Sequence, residues 1–202
     1  MTQEPRFIAL EGLDGTGKST LARALAARLS AELLATPDEV VKRFRADADT
    51  AFPRESVSST LFYAACVARV SDRVRALLAR GRTVVVDRYW LSTRAYASVL
   101  GVDLALNEVS ARLVAPTHTL YVRTEHAVRV ARLAERGVLE HDRPTFDLAI
   151  AGRLEAAYLG LRDDRLAARW WTVDSTHKSA EALAMTLASR LSRSSARAVR
   201  VA

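Results

Sequence analysis

A chain of 202 residues, half of them hydrophobic, has enough apolar material for one α/β core and falls short of the length at which chains divide into two. A single cysteine, Cys66, excludes an intrachain disulfide and a thiolate metal cluster, and no apolar run suggests a membrane helix or secretory leader, so a cytoplasmic protein without redox chemistry is expected. The formal net charge is +7 and 27 of the 30 basic residues are arginine, which points to anionic partners; with no aromatic-and-basic nucleic-acid motif, small phosphates rank above DNA or RNA.

Phe7, Ile8, Ala9 and Leu10 read as a short buried strand. It breaks into a glycine loop, Gly12 to Ser19, and the chain then enters a helix in which Leu21, Ala22, Leu25 and Leu29 recur at helical spacing. Gly12, Gly17, Lys18 and Ser19 fill the phosphate-loop template G-x-x-x-x-G-K-[S/T]. Each residue type has a physical task. Glycines let successive N–H groups curl around one anion. The lysine brings positive charge to β- and γ-phosphates, the serine hydroxyl can ligate magnesium, and the helix N-terminus adds its dipole.

Further along, Glu32 to Ala35 reads as a second strand, Pro37-Asp38-Glu39 as a helix start, and Ala46 to Glu55, with Pro53, as a loop. A long helical pattern runs from Ser56 to Arg80 and is ended by Gly81. Val84-Val85-Val86 is a fully buried strand that stops at Asp87-Arg88. Helices are expected over Trp90 to Leu100 and Leu104 to Val114, a strand over Thr119 to Val122, and a helix over Glu125 to Arg136. A loop from Gly137 to Pro144, a helix over Phe146 to Leu161, a strand over Trp170 to Val173 and a helix from Ser179 to about Ser192 complete the chain. Strands alternating with helices imply a parallel sheet covered on both faces, an α/β fold.

Two further features carry chemistry. An aspartate ending a buried strand, Asp87, can hold a magnesium-bound water, and Arg88 beside it can clamp a phosphate with two N–H groups. Arg129, Arg132 and Arg136 follow at helical spacing, and Arg143 comes beyond Gly137. Such a run is by default a solvated helix face, but a basic loop between two helices is also where a phosphate-transfer lid must sit to expel water.

These residues carry a resemblance. Phe7 to Thr20 resembles the thymidylate kinase signature, an apolar strand followed by E-G-x-D-G-x-G-K-S-T, and Asp87 to Tyr96 is similar to that family's D-R-Y-x-x-S-[S/T]-x-A-Y. Leu61 to Arg80 resembles the helix lining the acceptor pocket, Arg136 to Arg143 the lid, and Val173-Asp174-Ser175 the loop beside the adenine. The resemblance implies one P-loop kinase domain over residues 1–202, with three layers, a five-stranded parallel sheet and a lid at about 136–145. It implies ATP and Mg2+ as cofactors, a nucleoside monophosphate such as dTMP as the small-molecule phosphate acceptor, and a homodimer packed through helices. On this footing Gly12, Gly15, Thr16, Gly17, Lys18, Ser19 and Thr20 hold ATP, Asp174 lies near the adenine, and Ser19 and Asp87 serve the metal. Asp14 and Arg88 stand at the acceptor, with Arg88 on its phosphate, and Tyr96 lies beneath the deoxyribose and disfavours a 2′-hydroxyl. Glycine at position 15 implies that the transition-state arginine comes from the lid, as Arg136 or Arg143.

The departures from the family pattern gather on the acceptor side. Ala35-Thr36-Pro37-Asp38-Glu39 replaces the family's R-E-P-G-G-T, which leaves Arg54 as a substitute acceptor arginine. In the pocket helix the family places an aromatic residue on thymine and an arginine four residues later on its edge; here Phe62 is followed by Cys66, and Arg69 lies further along. Ala97 stands in place of a glutamine, and the lid is two residues longer before Asp142-Arg143. A second reading follows: a P-loop kinase of a modified nucleotide, a nucleoside or a specialised metabolite. Other P-loop classes fit less well, because Asn107 is the only asparagine, which excludes the N-K-x-D guanine motif, and Asp87 is followed by Arg88 rather than a second acid.

Overall fold

The computed structural model describes residues 4–102, 104, 106–137 and 145–198, and side chains to residue 193. All five residues of β1 (Phe7–Glu11) are buried, as a central parallel strand covered on both faces requires. Beside it lie β2 (Glu32–Ala35), β3 (Val84–Asp87), β4 (His118–Arg123) and β5 (Arg169–Asp174), in the order β2-β3-β1-β4-β5 with every pairing parallel. Side chains of β1 alternate between two cores. Phe7 and Ala9 join Val84, Val86 and Tyr121 beneath α4 (Val57–Ala79), α5 (Trp90–Val99) and α8 (Leu148–Gly160). Ile8 and Leu10 join Val85, Leu120, Val122 and Val173 beneath α1 (Lys18–Leu29) and α9 (Ala180–Ala198). The expected three-layer α/β architecture is therefore the one the chain adopts.

Local chemistry sets the helix ends. Asp38 caps α2 (Glu39–Lys42) by accepting the Val41 amide, and Ser56 caps α4 by accepting that of Ser59. Two expectations are corrected. Ala46 to Glu55 is not all loop: it contains most of α3 (Arg45–Ala51), supported by an Arg45–Asp49 pair one turn apart, with Pro53 falling just beyond its end. The helix expected over Leu104 to Val114 is confined to α6 (Asn107–Arg112), because Leu113 is already extended ahead of Pro116. The last helix runs on past Ser192, to Ala198.

Register places the site. Leu10 pairs with Asp87, so β1 and β3 end side by side and their following loops share one edge of the sheet, where open α/β sheets bind ligands. Leu25, fully buried between α1 and the sheet, reports on this core. Leu25→Ala is expected to lower the unfolding free energy by about 3 kcal/mol, seen as a lower urea midpoint with an unchanged slope.

Candidate active site

β1 turns at Gly12, where a Cβ would collide with the Val122 carbonyl of β4, and α1 begins after a left-handed Gly17. Lys18 is buried in the first turn and its Nζ donates to the Leu13 carbonyl, folding the side chain over the loop. Burial, reinforced by the Arg88 charge, brings its ammonium down to about 8 against the pull of Asp14, Asp87 and Glu11. Thr16 Oγ1 donates to the same carbonyl at 2.9 Å, while Ser19 and Thr20 are exposed on α1.

On the neighbouring strand, Asp87 holds a buried Oδ1 with no hydrogen-bond partner. Among the described residues no three His, Cys, Asp or Glu side chains come together. An ion served by Ser19 and Asp87 would therefore take most of its ligands from phosphate oxygens and water, as magnesium does, and a hydroxyl with an orphaned carboxylate oxygen fits it. Asp174 ends β5 and accepts the Thr176 amide at 2.9 Å. The loop after it is tied to the phosphate loop, since Ser175 Oγ donates to the Thr16 carbonyl at 2.8 Å.

On the other side of the phosphate loop, Arg88 takes a left-handed backbone, φ 67°, and turns inward. Its Nη2 donates to Asp14 Oδ1 at 2.5 Å, its Nη1 to the Gly12 carbonyl at 3.1 Å, and Tyr96 donates its hydroxyl to Asp14 Oδ2 at 3.0 Å. Burial alone would raise the Asp14 pKa, but the charges of Arg88 and Lys18 hold it well below the usual carboxylate range. A cavity opens from this group, walled by Arg54, Thr60 and Tyr63 and, from α3, by Arg45 and Asp49. The wall position foreseen for Phe62 is taken by Tyr63, which shares a helix face with Thr60; Phe62 is half-buried against Phe52, centroids 6.2 Å apart. Arg69 is drawn away, pairing with Arg73 on buried Asp38 at 2.8 and 3.3 Å.

Two residues to which the sequence assigns no role, Glu11 and Tyr158, complete the site together with Arg129, one of the arginines at helical spacing. Glu11 is fully buried; its carboxylate accepts the Tyr89, Leu91 and Ser92 amides at 3.1 Å each and the Ser92 hydroxyl. An acid directly after an all-apolar strand was the available signal, because a buried charge needs partners. Tyr158 of α8 donates to the Gly12 carbonyl at 3.3 Å and lies 2.9 Å from Ser92 Oγ. Arg129, on α7 (His126–Arg136), is only 2% exposed and donates to the Asp14 carbonyl at 3.2 Å and to Thr145 Oγ1 at 3.0 Å. The solvated-face alternative therefore fails at Arg129. Arg136 is exposed at the end of α7, whereas Arg143 and residues 138–144 of the lid expected at about 136–145 lie outside the described residues.

Gly15 is pressed against α7: a Cβ there would lie 2.7 Å from Leu133 Cγ and 2.9 Å from Arg129 Cγ, at a φ of +81°. Gly15→Ala is expected to destabilise the protein by about 2 kcal/mol or more and to weaken ATP binding, measured by thermal unfolding with and without nucleotide. Burial raises the Glu11 carboxyl from 4.5 to about 7 despite the opposing Ser92, Arg88 and amide contacts. An acid whose pKa rises on folding adds stability that is complete below its unfolded pKa and lost as pH climbs through the folded one. The stability difference between wild type and Glu11→Gln should therefore move against the wild type by roughly 3 kcal/mol from pH 4.5 to 8, read from urea midpoints.

Comparison with known proteins agrees with this geometry. The family model described as Thymidylate kinase matches residues 10–185. A thymidylate kinase of Cereibacter sphaeroides is 34% identical over 176 residues, covering 76% of this chain and 79% of its own. One from Xylella fastidiosa is 33% identical over 141 residues, covering 65% and 67%. The crystal structure of thymidylate kinase from Ehrlichia chaffeensis shares the fold, with a TM-score of 0.72 at 19% identity over 94% of this chain and 100% of that one. A family match spanning nearly the whole chain, with relatives a third identical, settles the assignment: the chain belongs to the thymidylate kinase family of nucleotide kinases.

Proposed function

We propose that the protein transfers the γ-phosphoryl group of ATP to a nucleoside monophosphate, dTMP first among them, with magnesium as cofactor. The Asp14–Arg88 pair carries this reading: at 2.5 Å it joins the phosphate loop to the arginine suited to an acceptor phosphate. Donor and acceptor phosphates would meet at one spot, and in-line transfer depends on positioning and charge neutralisation more than on covalent participation by the protein.

The amides of Gly15, Thr16, Gly17 and Thr20 and the Lys18 ammonium hold the ATP phosphates, with Asp174 near the adenine. Ser19 and Asp87 would hold magnesium, which would supply positive charge to neutralise the phosphates. Arg88 receives the acceptor phosphate with Arg54 beside it, while Asp14 fixes Arg88 and Tyr96, whose ring lies under the sugar. Phe62 acts from behind, packing against Tyr63. Arg136 or Arg143 brings the lid's charge to the transferring group, a role supported by the packing that keeps a side chain from position 15. The enzyme works in the cytoplasm as a homodimer, and exposed Val57 and Leu61, one turn apart on α4, support pairing through helices. A kinase of another metabolite draws no support from relatives named as thymidylate kinases.

With magnesium, ATP turnover is expected on dTMP within a panel of dUMP, dCMP, CMP, UMP, AMP and GMP, and Lys18→Ala should lower kcat at least about 100-fold. ATP binding without phosphorylation of any monophosphate would overturn the proposal. Since Lys18 titrates at about 8 in the free protein, kcat/KM for ATP should fall about ten-fold per pH unit above that point.

A further inference from the structure

Two polar groups wall the acceptor cavity. One is the Asp14, Arg88 and Tyr96 group at the phosphate loop. The other stands on α3 and α4: Arg45 Nε lies 3.3 Å from Asp49 Oδ2, and the Tyr63 hydroxyl donates to Asp49 Oδ1 at 2.9 Å. Despite that ion-pair distance, Arg45 Nε is a buried donor without a hydrogen-bond partner. A monophosphate whose phosphate sits on Arg88 extends along this cavity toward the second group. The pocket helix brings Ser59, Thr60 and Tyr63 to the wall but no charged side chain, because Arg69 and Arg73 are held by Asp38. The arginine of α3 reaches that helix instead. The Cys66 thiol, pushed up to about 11 chiefly by burial, also feels the Arg45 charge, which opposes the rise.

A carboxylate only accepts hydrogen bonds and a guanidinium only donates them, so adjacent they select a ligand edge with an N–H beside a carbonyl. We propose that Arg45 and Asp49 read the acceptor's base: Asp49 accepts the imino N3–H of a thymine- or uracil-type pyrimidine and Arg45 donates to the neighbouring carbonyl. Tyr63 fixes Asp49 through its hydroxyl and offers its ring to the base. The inference rests on the nucleotide-kinase reading and assigns the specificity of that site to α3 rather than α4.

The test is calorimetric titration of dTMP and its N3-methyl derivative into wild type, Asp49→Ala and Asp49→Asn, with ATP turnover measured alongside. Asp49 is 40% exposed on its side chain, so both variants should fold. Wild type is expected to bind dTMP about ten-fold or more tighter than the N3-methyl analogue. In Asp49→Ala the preference should shrink to about two-fold, in Asp49→Asn, which keeps a carbonyl acceptor, it should largely survive, and ADP affinity should not change. An unaltered preference in Asp49→Ala, or an equal loss for both ligands, would overturn the inference, the latter placing the pair on the phosphate or sugar. The two readings fail separately. Absence of turnover with the N3–H preference intact and Asp49-dependent would sink the kinase reading alone, and turnover of dTMP with a preference indifferent to Asp49 would sink this one alone.

Discussion

Glu11 lies buried where β1 gives way to the phosphate loop, and its carboxylate gathers three amide protons and a hydroxyl from the start of α5. Isolated in the core, such a charge would cost several kcal/mol; with four donors it becomes a tie between two segments 78 to 81 residues apart in sequence. That tie fixes how the chain leaves β3. The Arg88 amide reaches the Leu10 carbonyl at 2.9 Å, and the backbone is held in a left-handed state that a free arginine would seldom adopt. The arginine side chain is thereby aimed at Asp14 rather than at solvent.

A second set of contacts joins the phosphate loop to α7. Arg129 holds the Asp14 carbonyl and Thr145 together, and Arg132 donates to the Ser175 carbonyl at 2.8 Å. Helix α7 and Thr145 are thus anchored to the phosphate loop itself.

How much of this was readable beforehand depended on how local the signal was. The phosphate loop and Asp87-Arg88 are short motifs whose chemistry sits in adjacent residues, and the alternation of apolar runs gave the parallel sheet directly. Tyr63 in place of Phe62 was not readable, since neighbouring aromatics leave the phase of a helix face undecided until α3 packs against it. α3 itself was hidden by its polar composition and Pro53, and it brings Arg45 and Asp49 to the cavity. In sequence Arg129 looked no different from Arg132 and Arg136, because burial of a guanidinium depends on acceptors contributed by residues as far away as Asp14. Glu11 could have been singled out, as an acid ending a strand that is otherwise entirely apolar.

The crowding at Gly15 limits what substitution alone can do there. Placing an arginine in the phosphate loop at this position is not a single mutational step, because its first carbon would already overlap Leu133 and Arg129. Trimming Arg129 to make room would release the Asp14 carbonyl and Thr145, so the intermediate loses order before it gains a charge. As long as α7 packs this way position 15 stays bare, and a side chain there would require the helix itself to shift.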